Sequence, residues 1–203
     1  MTVETNGLRR ELRAKAAIVA TPADVTRAVV EDLPEPTARA LAAISYGPYV
    51  VGAFLTSEPG PAAWDDLYAL ATPKRSFGML FNTANVLRGA GQRQPGGSLM
   101  VYAAANLART LEHLDDDEVA TVFQHELVDL FPALAGAIEE TRIVRWQRGL
   151  PYPTVGRAAL QPALTADLAP VFLAGDYLGS WYTETAAQTA ELAVAGARGV
   201  LDR

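Results

Sequence analysis

The stretch Pro170-Val171-Phe172-Leu173-Ala174-Gly175-Asp176-Tyr177-Leu178-Gly179-Ser180-Trp181-Tyr182-Thr183-Glu184-Thr185-Ala186-Ala187-Gln188-Thr189 decides how this chain is read. Val171 to Ala174 is a short apolar run, the pattern of a buried strand. It stops at Gly175-Asp176, crosses a loop and enters an alanine-rich helix. A carboxylate on the turn after such a strand accepts hydrogen bonds from hydroxyls, while a helix N-terminus presents free N–H groups to an anion or carbonyl. The pattern suits a polyol-phosphate ligand at the carboxyl end of a strand. It equally describes a strand–turn–helix whose Asp is satisfied within its own turn.

Composition narrows the classes. The chain has 203 residues, half of them hydrophobic, enough for one large domain or two small ones. A net charge of -6 and the lack of any basic run argue against nucleic acid. There is no cysteine, so disulfides and thiolate metal sites are excluded. The N-terminal Met1-Thr2-Val3-Glu4-Thr5 shows no basic and apolar signal-peptide pattern. No apolar run approaches the roughly 20 residues that span a bilayer. A soluble cytoplasmic protein without a membrane span is the expectation.

Outward from the opening stretch, Asn6-Gly7 is a hairpin signal and Ala16 to Ala20 a short buried strand. Thr21 is placed to cap a helix that has Pro22 in its first turn, Asp24 as the capping-box acid, and Val25, Ala28 and Val29 on one face. Pro36 to Ile44 reads as a second helix and Tyr49 to Thr56 as a strand covered on both faces. Leu67 to Ala71, Gly78 to Thr83 and Ser98 to Ala105 are further strands. The polar connection Leu87 to Gly97 reads as an exposed hairpin loop rather than a phosphate loop, because its glycines neither follow a strand into a helix nor open one.

Asp115-Asp116-Asp117-Glu118 opens a helix on which Val119, Val122, Phe123, Leu127, Leu130 and Phe131 keep helical spacing until Pro132. Its acids suit the positive end of the helix dipole, at roughly 0.3–1 kcal/mol each. His113 and His125 stand alone, without the partners that hydrolase or zinc chemistry needs. Ile138 to Gln147 reads as a helix end and a strand. Trp146 either covers a ring system or packs half-buried. The last helix would turn Ala186, Ala190, Ala193, Val194, Ala197 and Val200 or Leu201 to the sheet.

Phe172-Leu173-Ala174-Gly175-Asp176 and Tyr182-Thr183-Glu184-Thr185-Ala186-Ala187, in this order and spacing, resemble the C-terminal end of flavin-dependent amine oxidases and their relatives, the protoporphyrinogen oxidases and phytoene desaturases. The Ala20-Thr21-Pro22 turn and the Trp146, Pro151 and Gly156 segment are similar to that family as well. The resemblance implies an α/β (α+β) chain: the C-terminal portion of an FAD/NAD(P)-binding flavoprotein fold. Residues 1–35 and 145–203 would be the remnant of the FAD-binding domain, and residues 36–144 a substrate-type domain with a mixed sheet and helices.

It further implies that Gly175 and Asp176 hold the ribityl or phosphate part of FAD. Tyr182, Thr183, Glu184, Thr185 and Ala186 would bring a helix N-terminus to the flavin, with Ala20, Thr21, Pro22 and Trp146 alongside. Tyr182 matches a position that lines the amine site in monoamine oxidases. The family's Gly-x-Gly-x-x-Gly unit, which grips the ADP half of FAD, is absent from this sequence. Thr185 and Thr189 stand where the family has glycine. Two expectations follow. One is an FAD-dependent oxidoreductase of amine oxidase type, acting on an apolar or amine small molecule, whose missing half comes from a protein partner or whose chain forms a homodimer. The other is a cofactor-free interaction module derived from that fold.

Overall fold

The computed structural model describes residues 1–88 and 93–202, which form two compact units. One is built from residues 1–45 and the chain from Pro151 onward, the other from Tyr46 to Leu150.

The first unit begins with a hairpin, β1 (Thr2–Thr5) and β2 (Leu8–Glu11), paired antiparallel. Its turn is Asn6-Gly7 with φ of 52° and 74°, the left-handed backbone that this pair of residues tolerates best. Strand β3 (Ala17–Val19) then pairs in parallel with a strand from the far end of the chain, β9 (Val171–Leu173). The predicted buried strand is there, but Ile18 is 43 % exposed.

Helix α1 (Ala23–Val29) starts one residue later than capping by Thr21 requires: Pro22 is the N-cap residue and no side chain caps the end. The expected apolar face is also displaced. Ala23 and Thr26 are buried and Val29 is exposed, because the Thr26 hydroxyl finds partners inside the unit. Helix α2 (Glu35–Ala42) buries Thr37, Ala40 and Leu41.

The second unit is a five-stranded sheet in the order β5-β6-β7-β4-β8. Its strands are β4 (Tyr46–Thr56), β5 (Ala69–Ala71), β6 (Met79–Asn82), β7 (Gly97–Ala104) and β8 (Ile138–Pro151). The β5–β6, β6–β7 and β7–β4 pairings are antiparallel. Helix α3 (Asn106–Thr110) follows β7, and α4 (Asp116–Leu130) covers the sheet. Asp115 and Glu118 close the capping box reciprocally at 2.8 Å, so the acidic run is a helix start.

Val119, Phe123 and Leu127 enter the core with Phe54, Phe77, Leu80, Leu99 and Val101. Gly52 is needed there, since a Cβ would lie 2.8 Å from the Phe123 ring. Residues 138–151 are strand throughout, without the expected helix end. By the pleat of β7, Leu99, Val101 and Ala103 face this core while Met100 and Tyr102 lie half-buried on the other face. Tyr102 is joined there by Phe81, with ring centroids 5.2 Å apart and edge-to-face.

The Leu87–Gly97 connection links neighbouring antiparallel strands, and Gly89, Ala90, Gly91 and Gln92 lie outside the described residues. Leu87, Gln94 and Pro95 are exposed as expected, whereas Arg88 and Arg93 are half-buried. Arg93 donates to Glu58 and Asp65 at 2.9 Å each, and Arg88 donates to Asp65. Glu58 is 4 % exposed. The arginines hold the Asp65 carboxyl down at about 2, Arg93 most strongly.

A lowered carboxyl value contributes stability above the unfolded value near 4 and loses it as pH falls toward 2. Thermal melts between pH 7 and pH 2 should show this acid limb. Asp65→Asn, which leaves two guanidinium groups facing one carboxylate, should cost on the order of 3 kcal/mol at pH 7 and flatten the limb.

Candidate functional site

The parallel register sets Ala17 beside Val171, Ile18 beside Phe172 and Val19 beside Leu173. The Ala174 N–H donates to the Val19 carbonyl at 3.0 Å as the strands end. The two turns that follow, Ala20-Thr21-Pro22 and Gly175-Asp176, therefore emerge side by side at the carboxyl ends of adjacent parallel strands. A buried hydroxyl chain ties them. Thr21 Oγ1 lies 2.9 Å from Thr26 Oγ1, and Thr26 Oγ1 lies 3.3 Å from the hydroxyl of Tyr177. Tyr177 is buried, which raises its pKa.

Asp176 opens a 3-10 turn through Leu178. Burial raises its carboxyl above the usual aspartate value, partly offset by the backbone N–H groups of Tyr177 and of Asp176 itself. The carboxylate thus stands half-buried, assisted by its own turn. Gly175 has no room for a side chain, since a Cβ would sit 2.6 Å from the Tyr177 ring.

The turn is braced from a segment that nothing in the sequence pattern marks. Arg157 donates through Nη2 to the Tyr177 carbonyl and through Nη1 to Gln161 Oε1 at 3.0 Å. Gln161, the first residue of α5 (Gln161–Leu164), donates to the Leu178 carbonyl at 2.6 Å.

Helix α6 (Thr183–Leu201) begins after Tyr182 with no side-chain cap, so its first N–H groups keep their donors for another partner. Tyr182 is 64 % exposed and its ring lies 5.9 Å from that of Trp181. Thr183 and Glu184 are exposed, and Glu184 accepts from Gln188 at 3.0 Å.

Thr185 and Thr189 point back into the loop that precedes the helix. Thr185 Oγ1 accepts from the Ser180 N–H at 3.2 Å, and its methyl fills the space that a Cβ on Gly179 would need. Thr189 Oγ1 accepts from the Gly175 N–H at 3.0 Å and donates to the Thr185 carbonyl at 2.8 Å. The buried stripe of α6 follows them, with Thr185 and Ala193 buried and Thr189, Gly196 and Val200 half-buried. The expected stripe is met in part: Ala193 is buried and Ala186, Ala197 and Val200 are half-buried, whereas Ala190, Val194 and Leu201 are exposed. Gly196 sets the close approach, because a Cβ there would meet the Phe172 ring at 2.4 Å.

The structure thus brings together Ala20, Thr21, Pro22, Gly175 and Asp176, with Tyr182, Thr183, Glu184, Thr185 and Ala186 on the same unit. Trp146 belongs to the other unit, on β8, and is 57 % exposed rather than half-buried. Among the described residues no group of three or more His, Cys, Asp or Glu converges, and no helix is long and apolar enough to cross a membrane.

A carboxylate at the ends of parallel strands and an uncapped long helix form the arrangement with which α/β proteins hold extended, phosphate-bearing cofactors. The class is an α/β chain with one unit built on a parallel strand pair and one on an antiparallel sheet. The chain belongs to the flavin containing amine oxidoreductase family, whose model matches residues 2–198. Among solved structures it is similar to cyclohexylamine oxidase from Brevibacterium oxydans IH-35A, at TM-score 0.77 and 19 % identity. It is also similar to a candidate protoporphyrinogen oxidase from Exiguobacterium sp. 255-15, at TM-score 0.65 and 14 % identity. Each match covers 100 % of this chain and 46 % of the other, so the chain spans less than half of either structure.

Thr189→Val keeps the volume but removes the acceptor for the Gly175 N–H. Leaving that donor unpaired should cost about 1–3 kcal/mol in urea unfolding, whereas Thr183→Val at the exposed helix start should cost less than half as much.

Proposed function

We propose that this chain supplies one half of an FAD-dependent oxidoreductase of amine oxidase type. The first unit is the remaining part of the FAD-binding domain, and the second is the substrate-type domain. The observation that carries the reading is the adjacency of the Thr21 and Asp176 turns at the carboxyl ends of β3 and β9. The donor set fits the group. Asp176 is placed to accept from ribityl hydroxyls or to lie beside the phosphates, and the uncapped start of α6 offers N–H groups to the flavin carbonyls.

The flavin these residues would hold would supply an acceptor for hydride from a C–H bond of the substrate. The chain's own residues bind and orient the cofactor and shape a dry surface. The half-buried face of the second unit, with Met79, Phe81, Met100 and Tyr102, suits an apolar or amine small molecule.

The ADP half of the cofactor needs a glycine-rich turn that these 203 residues do not contain. A protein partner supplies it, since a second copy of these residues would lack the same turn. The exposed apolar residues of the first unit support this reading: Ile18 on β3, and Leu192 and Val194 on the outer side of α6. A parallel sheet of only two strands is also rare as a free-standing element.

The test is the absorbance of the purified protein, alone and with co-purifying polypeptide. Flavin colour that survives desalting is expected. A colourless protein whose melting temperature ignores added FAD would favour the cofactor-free interaction module instead. Asp176→Ala should weaken FAD binding roughly 10- to 100-fold, the loss of charge-assisted hydrogen bonds.

The ionised form is the one that accepts from hydroxyls. Affinity should therefore fall on acidification, at a higher pH than an ordinary aspartate would give, because the Asp176 carboxyl is raised. Asp176→Asn should remove that dependence. An unchanged pH profile would displace Asp176 from the site.

A further inference from the structure

Arg157 is half-buried, and among the described residues it pairs with no carboxylate. Burial lowers its pKa and no neighbouring charge offsets the shift. A desolvated cation without a counter-ion is costly, so what it bonds to matters. Both of its acceptors are neutral. One is the Tyr177 carbonyl, inside the turn that carries Asp176, and the other is Gln161 Oε1. Gln161 in turn donates to the next carbonyl of that turn, Leu178.

The two donors thus grip consecutive carbonyls from one side, while Tyr177 is held from the other by Thr26. The base of the grip is itself fixed. Gly156, at φ 85°, turns the chain into the 3-10 segment of Arg157 to Leu160. Leu164 is buried, and the hydroxyl of Thr37 donates to the Ala163 carbonyl at 2.8 Å, fastening α5 to α2.

We infer that Arg157 is a positioning residue that holds the Tyr177 carbonyl, with Gln161 on Leu178, and thereby sets where the Asp176 carboxylate stands. An arginine is required because its planar fork reaches both acceptors at once, whereas a lysine ammonium on one stem reaches only one well. The cation also polarises the carbonyl of a turn whose own N–H groups face the carboxylate, so the grip and the Asp176 geometry rise or fall together. The inference bears on flavin binding only through the function proposed above.

Chymotrypsin cleavage of the whole native chain tests it. Tyr177 is 1 % exposed and Tyr182 64 %, so cleavage after Tyr177 requires the turn to open while cleavage after Tyr182 does not. In Arg157→Met the ratio of cleavage after Tyr177 to that after Tyr182 should rise roughly 10- to 100-fold, as expected for losing the charged hydrogen bond to the Tyr177 carbonyl. Arg157→Lys should restore part of the protection, and Gln161→Leu should act in the same direction as Arg157→Met with a smaller effect.

A ratio that stays at the wild-type value in Arg157→Met overturns the inference. So does a rise matched by equal opening of the second unit, read from cleavage within residues 46–150, because the effect would then be general unfolding. FAD affinity measured on the same variants should fall in parallel with the ratio. If the wild-type chain, with its co-purifying polypeptide, takes up no FAD, the flavin reading fails while the cleavage ratio still decides the role of Arg157.

Discussion

The parallel contact between β3 and β9 is the constraint on which the candidate site depends. It joins residues about 150 positions apart, so its closure entropy has to be met by everything folded in between. Three residue pairs in register are few for that task. The hydroxyl chain from Thr21 through Thr26 to Tyr177, the Gly196–Phe172 approach of α6, and the Arg157 and Gln161 grip share it. Because the two turns begin where the strands end, any slip in the register would separate Thr21 from Asp176.

The threonines of α6 show how a helix can be fixed to the loop before it. Thr185 fills the space beside Gly179, and Thr189 pairs the Gly175 N–H through its hydroxyl. Both side chains are turned toward the loop of residues 175–180, and the start of α6 keeps its uncapped N–H groups.

Much of the fold was legible in residues whose local preference agrees with their tertiary setting. Asn6-Gly7 makes its hairpin, and Asp115 with Glu118 closes the capping box ahead of a helix whose Val119, Phe123 and Leu127 are buried as their spacing requires. The order Gly175-Asp176 then helix was legible too. The contact face of α6 was legible only in part, at Ala193 and Val200 but not at its threonines. Alanine occupies every side of that helix, so hydrophobic periodicity has no contrast, and the face is chosen by two threonine hydroxyls whose partners lie outside the helix. Glu58, just past the end of β4, is buried because Arg93 reaches it from the connection that enters the paired strand β7. Arg157 and Gln161 bond to carbonyls, which carry no residue signature at all.

The most direct measurement is amide hydrogen exchange of the chain, with any polypeptide that co-purifies, in the presence and absence of FAD. The account predicts slowed exchange at Ala20, Thr21 and Ala23, at Gly175 and Asp176, and at the unbonded first N–H groups of α6, Thr183 to Thr185. Exchange unchanged by FAD, or slowed only within residues 46–150, would contradict it.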